Sequence, residues 1–303
     1  MDNNLTLEDF QPVSRKELIA KKTYHRSLFS TIIHVFKKNK LAMLCVFILG
    51  FIFIASILAF LSPYDPDVVN VNEKLQGISS SHLLGTDDLG RDLFTRALYG
   101  GRVSLLVGFS AMVVSVIVGT CIGTISGYMG GKVDTICMRF VDMFLSVPSL
   151  LLIIVFYSFV SPSIFTLVIM LSMFSWANVA RIVRAETLSI KEREYVLAAK
   201  TLGVSDFIII IRHVIPNLAS QIIVAASLSI ANAILDESAL SFLGYGVQLP
   251  KSSWGSMLQT AQKYILYDPL LAIVPGILIL LTVLCFNILG DALQHALDPK
   301  LNK

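Results

Sequence analysis

Six long apolar runs alternate with polar connections along the chain, at about residues 41–61, 103–128, 140–160, 164–183, 218–243 and 269–289. Each approaches or exceeds the roughly 20 residues that carry a helix across a bilayer. Lipid offers the backbone no hydrogen-bond partners, so such runs predict helices that satisfy their own peptide groups. The pattern predicts an all-α polytopic membrane protein with six transmembrane helices. The polar connections are uneven. About 40 residues separate the first two runs, and the fourth and fifth are joined by roughly 30, where about 2–8 would join neighbouring helices.

That long connection is itself patterned. Residues 191–202, KEREYVLAAKTL, are rich in helix formers, with Val196, Ala199, Leu202 and Gly203 recurring along one side. Gly203 is placed to end this helix in a left-handed conformation. Ser205 can cap a second helix whose first turn holds Asp206, and Pro216 falls where the chain re-enters the membrane. A helix, a glycine turn and a helix suggest a docking surface. The plainer alternative is a surface helix that merely packs under the bundle.

Between the first two runs, GTDDLGRDLFTRALYGGR reads as a loop followed by a short helix. Asp92 is placed to be its cap or a first-turn residue, and Leu93, Phe94, Ala97 and Leu98 line one face. The second run carries Gly119, Gly123 and Gly127 at four-residue spacing, with Gly131 just beyond. Such a face lets another helix approach closely, within this chain or from a partner. Pro148 predicts a kink in the third run. Trp176 and Asn178 in the fourth either line a pathway or hold helices together. Asp142, Asp236 and Glu237 are the acids within the apolar runs. Their places near the ends favour gating or packing contacts over an ion relay.

Composition sharpens this picture. Only 15% of the 303 residues are charged and 55% are hydrophobic, against about a quarter charged in a soluble domain. The net charge of +3 gives no reason to expect nucleic acid as a partner. Eighteen lysines and arginines fall on the amino-terminal side of the membrane and six on the other, which places both termini and segment 185–217 in the cytoplasm. The chain then divides into a cytoplasmic tail over 1–40 with an interfacial helix in HRSLFSTIIHVFKKNK, a first span and outer loop over 41–102, a transmembrane core over 103–293, and a cytoplasmic tail over 294–303. The four cysteines form no CxxC pair, so neither a disulfide framework nor a metal site is expected. GYMGGKVD lacks the spacing and hydroxyl of a phosphate-binding loop, and neither HExxH nor GxSxG occurs. These absences argue against an enzyme and against a cofactor in this chain.

Residues 195–217, YVLAAKTLGVSDFIIIIRHVIPN, resemble the "EAA" loop of permease subunits of binding-protein-dependent ABC importers. Ala198, Ala199, Gly203 and Pro216 match that motif, and Ile215 matches conservatively. Leu197 stands where glutamate is usual, and His213 where isoleucine is usual. Residues 83–108 and 238–258, NKLAM at 39–43 and the tail DALQHALDP are similar to the dipeptide, oligopeptide and nickel branch, most of all to its C-type oligopeptide subunits. The resemblance implies the permease fold of type I ABC importers and a cell-membrane location in a prokaryote. It implies a coupling role for Tyr195, Ala198, Ala199, Gly203, Ser205, Asp206 and Pro216. It assigns Gly85, Asp88, Gly90, Arg91, Asp92, Glu237, Ser241, Gly244, Trp254 and Gly255 to outer-face motifs. It also implies partners: a second related permease, two ATPase subunits that hold the ATP and magnesium, and an extracytoplasmic binding protein or lipoprotein that delivers peptide. Nickel or another small solute is the alternative cargo. An ion-coupled secondary transporter or a structural scaffold are the alternatives of other classes.

Overall fold

The computed structural model describes residues 39–297. The expected interfacial helix at 25–40 lies almost wholly outside the described residues, as does the end of the tail. Ten α-helices follow in chain order: α1 (Lys40–Ile57), α2 (Leu93–Met129), α3 (Gly131–Leu145), α4 (Ser149–Tyr157), α5 (Ile164–Lys191), α6 (Glu194–Thr201), α7 (Asp206–Ile209), α8 (Ile215–Phe242), α9 (Trp254–Ala261) and α10 (Leu270–Leu297). Helix α1 begins at Asn39, whose side chain accepts from the backbone N–H of Leu41 and Ala42.

Five helical stretches are long and apolar enough to cross a membrane, and the bent pair α3–α4 makes up to six. That pair replaces the kinked third helix expected over 140–160. The two halves meet at 78° across Ser146–Pro148. Pro148 has no amide hydrogen, and its ring keeps Val147 out of the helical region, so the helix stops rather than bends.

The register of neighbouring helices fixes the course of the chain. Helix α5 runs parallel to α2. Ser172 Oγ donates to the Ala111 carbonyl, Gly119 lies against Trp176 and Val179, Gly123 against Ala180 and Val183, and Gly127 against Thr187. Two parallel helices in sequence require one full return between them, so α3 and α4 together cross once. Helix α8 runs antiparallel to α2, with Ser104 beside Glu237 and Gly108 beside Ile234. Helix α1 is also antiparallel to α2, since Arg102 Nε donates to the Ser56 carbonyl and Ser62 Oγ bonds Thr95 Oγ1. Leu271 at the start of α10 packs with Trp254, and Gly290 near its end packs against Leu228 of α8. Both described ends therefore lie on the face that carries α6, labelled the inner face after the basic-residue expectation.

Three helices overrun their expected bounds, among them α5, which continues past 183 to Lys191. The short helix after Asp92 continues unbroken into the second span, giving the 37 residues of α2. Helix α10 continues past 289 to Leu297. The large apolar side chains that stay exposed on α1, such as Phe47 at 72% and Phe51 at 67%, face the space a bilayer would fill.

Candidate functional sites at the inner and outer faces

At the inner face, α5 runs through Lys191, and the chain turns at Glu192–Arg193 before α6 starts at Glu194. The expected helix over 191–202 is thus two pieces. Val196 and Ala199 are buried, packed with Val183, Ile190, Ile209, Val214 and Leu218. Leu202, placed on the same stripe by its spacing, is instead 83% exposed. The helix ends at Thr201, so Leu202 is past the last turn and points outward.

The turn that follows is a Schellman motif. Val204 N donates to the Ala199 carbonyl at 3.1 Å and Gly203 N to the Lys200 carbonyl at 3.0 Å. Gly203 sits at φ +79°, the left-handed region that such a turn requires. Ser205 takes the extended dihedrals of an N-cap but makes no side-chain capping bond, contrary to the sequence expectation. Asp206 accepts a hydrogen bond from Tyr128 Oη at 2.9 Å, which fastens the turn to the inner end of α2. From Asp206 the helix is continuous to Phe242, through a π-helical segment at Ile210–Val214. Pro216 lies in the first turn of α8, where the wide π turn before it accommodates the missing donor.

What remains exposed here includes a group of apolar side chains beside charged ones such as Glu194 and Lys200. Leu197, Leu202 and Phe207 are 50%, 83% and 72% exposed, and Tyr195, Ala198 and Ile208 accompany them. A group of apolar side chains projecting from a short, fastened helix suits a partner's cleft. Sequence reasoning named Tyr195 and Ala198 for this face and missed Leu202 and Phe207. Helical spacing had suggested burial for Leu202, and an apolar run had hidden Phe207. Below the face, Asp134 holds Arg184 through both carboxylate oxygens and accepts from Ser126 Oγ, joining α2, α3 and α5. No sequence signal singled out that cluster.

At the outer face, the loop motif is a brace. Asp87 is buried and accepts from Arg91 Nε at 2.8 Å and from the backbone N–H of Leu89 and Arg91, with Arg96 Nε at 3.3 Å. Arg96 also donates to the Pro66 carbonyl. Asp92 caps α2 through Thr95 and meets His82 Nδ1 at 2.9 Å. Gly90, at φ +75°, passes so close to the Asn70 carbonyl that a Cβ would overlap it. Gly85 also takes a positive φ. Asp88 stands apart. Its Oδ1 is buried without a hydrogen bond, and burial, then the neighbouring Asp87, raises its carboxyl above the ordinary value.

The second outer motif closes on Glu237, which is fully buried. Its carboxylate accepts from Ser104 Oγ at 3.0 Å and Ser241 Oγ at 2.7 Å. Both serines also accept: Ser104 Oγ from Trp254 N, and Ser241 Oγ from Val247 N and Ser253 Oγ. Trp254 is buried and donates through Nε1 to the Ala97 carbonyl at 2.9 Å. Gly255 lies against Ser238 and Ser241, where a Cβ would come within 2.6 Å of the Ser238 Cα. Gly244, at φ +89°, turns the chain out of α8. The result ties α2, α8 and α9 into one unit at the outer end of the bundle. Asp142, by contrast, pairs with Arg181 at 2.7 Å on an exposed surface.

Residues 119–303 match the family model described as binding-protein-dependent transport system inner membrane component. Residues 27–77 match the N-terminal TM domain of oligopeptide transport permease C. A dipeptide transport system permease protein, DppC of Bacillus subtilis, is 43% identical over 88% of this chain and 84% of its own length. The oligopeptide transport system permease protein OppC of the same organism is 38% identical over 99% of both. A glutathione transport system permease protein, GsiD of Pectobacterium atrosepticum, is 40% identical over 84% of this chain and 85% of its own. Among solved structures, a chain of the inward-facing MetNI methionine ABC transporter superposes with a TM-score of 0.54 at 16% identity. It covers 65% of this chain and 94% of that one, a likeness of fold.

Proposed function

We propose a function from one premise: this chain belongs to the family of binding-protein-dependent transport system inner membrane components. It is a multi-pass membrane permease subunit of an ABC importer rather than an enzyme, and such an importer works with ATPase and substrate-binding partners. In our reading its cargo is a peptide, as the names of its dipeptide and oligopeptide relatives suggest. The chain supplies half of the translocation path, and a second related permease supplies the other half. Two ATPase subunits, holding ATP and magnesium, dock from the cytoplasm, one on each permease. An extracytoplasmic binding protein delivers peptide to the opposite face.

The observation that carries this reading is the inner face itself. Helix α6 presents Tyr195, Leu197 and Ala198 outward, with Leu202 just past its end, and is held from behind by Val196, Ala199 and the Asp206–Tyr128 bond. A lever that passes force needs both a contact surface and a stiff attachment. When ATP draws the ATPases together, α6 moves with them. The continuous helix from Asp206 to Phe242 carries that motion toward the outer unit around Glu237. Leu197 replaces an acidic contact with an apolar one, so docking here relies on burial more than on charge.

The test is uptake by a deletion strain carrying the wild-type gene, with tri-alanine, glutathione and nickel as competing cargoes. Restored uptake of tri-alanine alone supports the reading. Restored uptake of nickel alone replaces the cargo. Recovery of the tagged protein without any ATPase or second permease sinks the importer assembly.

A further inference from the structure

A cleft separate from the inner docking face opens where the third crossing is broken. Its volume is about 510 Å³, and it lies between the Ser146–Pro148 break and facing turns of α5 and α8. On α8, Ser229, Asn232 and Asp236 stand at positions i, i+3 and i+7, one face of the helix. On α5, Ser175 and Asn178 are three apart and also line the cleft. Polar side chains inside a span are found where they meet protein or a water-filled path. Asp236 precedes the end of α8 at Phe242 by roughly 9 Å at 1.5 Å per residue, well inside the bundle.

Among the described residues Asp236 makes no ion pair and no hydrogen bond, while the adjacent Glu237 uses both carboxylate oxygens. The basic residues further along α5 are already engaged. Arg181 pairs with Asp142, and Arg184 with Asp134. The cleft therefore holds one open carboxylate among amides and hydroxyls, with no cation to answer it. An amide side chain both donates and accepts, so it pairs with any peptide group whatever the neighbouring side chain. A carboxylate adds a charge-assisted bond to an ammonium.

We propose that this cleft is a cargo subsite on the translocation path, in which Asp236 receives the ammonium group of a peptide and Asn178 and Asn232 exchange hydrogen bonds with its amide groups. The inference rests on the peptide-importer reading above and names the part of the chain that touches cargo. Glu237 and the serines around it brace the fold behind this site, and Asp236 faces forward into it.

The test uses the complete importer with its binding protein. Asp236→Asn should lower tri-alanine uptake about tenfold, the weight of one charge-assisted bond, while ATPase stimulation by loaded binding protein persists. Asp236→Glu should keep most of the uptake. Asn232 is exposed in the cleft, so Asn232→Cys serves as a reporter that needs no change at Asp236. Its thiol should react about tenfold faster with 2-aminoethyl methanethiosulfonate than with the neutral methyl reagent, relative to free cysteine, because the carboxylate one turn away attracts the cation. Failure of the wild-type importer to take up tri-alanine sinks the peptide reading. Wild-type uptake with an unchanged Asp236→Asn rate, or an Asn232→Cys thiol without cation preference, sinks the subsite alone.

Discussion

Gly203 has no atom within 4 Å of the place a Cβ would occupy, so glycine is required there by its dihedral angle and not by space. A β-branched residue forced to φ +79° costs about 1–2 kcal/mol, enough to change the turn. Gly203→Val is expected to reduce uptake and ATPase coupling with normal membrane insertion, whereas Gly203→Asn, which visits the left-handed region more readily, keeps most of both. Uptake measured at equal membrane abundance checks the pair; normal uptake by Gly203→Val would remove the turn from the mechanism. Glu237 is the opposite kind of residue, fixed entirely by its neighbours. Glu237→Ala strands the hydroxyls of Ser104 and Ser241 and is expected to destabilise the protein by about 1–3 kcal/mol. Glu237→Gln, which keeps an acceptor and the shape, is expected to cost less. Thermal unfolding of the detergent-purified protein ranks the two. Sequence reading found both residues, Gly203 by its position after a helix and Glu237 by its charge. Only the packing showed that Glu237 is a brace and Asp236 is open.

At the scale of elements, α2 and α5 form the closest seam in the bundle. Gly119, Gly123 and Gly127 supply its inner half, as four-residue spacing allowed, and the structure shows the seam lies within this chain. The stripe continues outward through Ala111 and Ser115, both buried, which glycine spacing alone did not reveal. A Cβ on Gly123 would lie 2.5 Å from the Ala180 carbonyl oxygen, backbone that cannot yield without moving the helix. Gly123→Leu is therefore expected to cost about 1–3 kcal/mol, or more if α5 cannot shift, and to lower the unfolding midpoint and the yield of folded protein. An unchanged midpoint would mean that the seam is loose. Residues on the lipid side of the same helix, such as Ile117 at 59% exposure, should tolerate Ile117→Leu without loss. The break at Pro148 was legible as a kink. Its depth was not, because the angle depends on how α4 packs against α5 after the helix has stopped.

For the whole molecule, the parallel course of α2 and α5 decides the number of crossings. It forces the bent pair to traverse the bundle, giving six crossings with Lys40, Leu297 and α6 on one face. We propose, from the bias of basic residues, that this face is the cytoplasmic one. Cysteine placed at exposed Lys200 is expected to resist a membrane-impermeant maleimide added outside intact cells and to react in inverted vesicles. Cysteine at exposed Lys251 should behave in the reverse way. The reverse labelling at both sites would invert the assembly, and with it the docking of ATPases on α6.

Hydropathy and local signals determined by themselves that this chain is helical, membrane-spanning and equipped with a glycine-turned segment between its fourth and fifth apolar runs. Each is a property of a short window: a run long enough to cross lipid, a residue type that permits a left-handed angle, a proline without a donor. The tertiary structure decided what no window contains. It set the parallel register of α2 and α5, the union of Ser104, Glu237, Ser241 and Trp254, the outward turn of Leu202, and the polar cleft facing the break in the third crossing. These depend on which helix faces which. That choice follows from fitting small residues against backbone, and from satisfying every buried polar group at once.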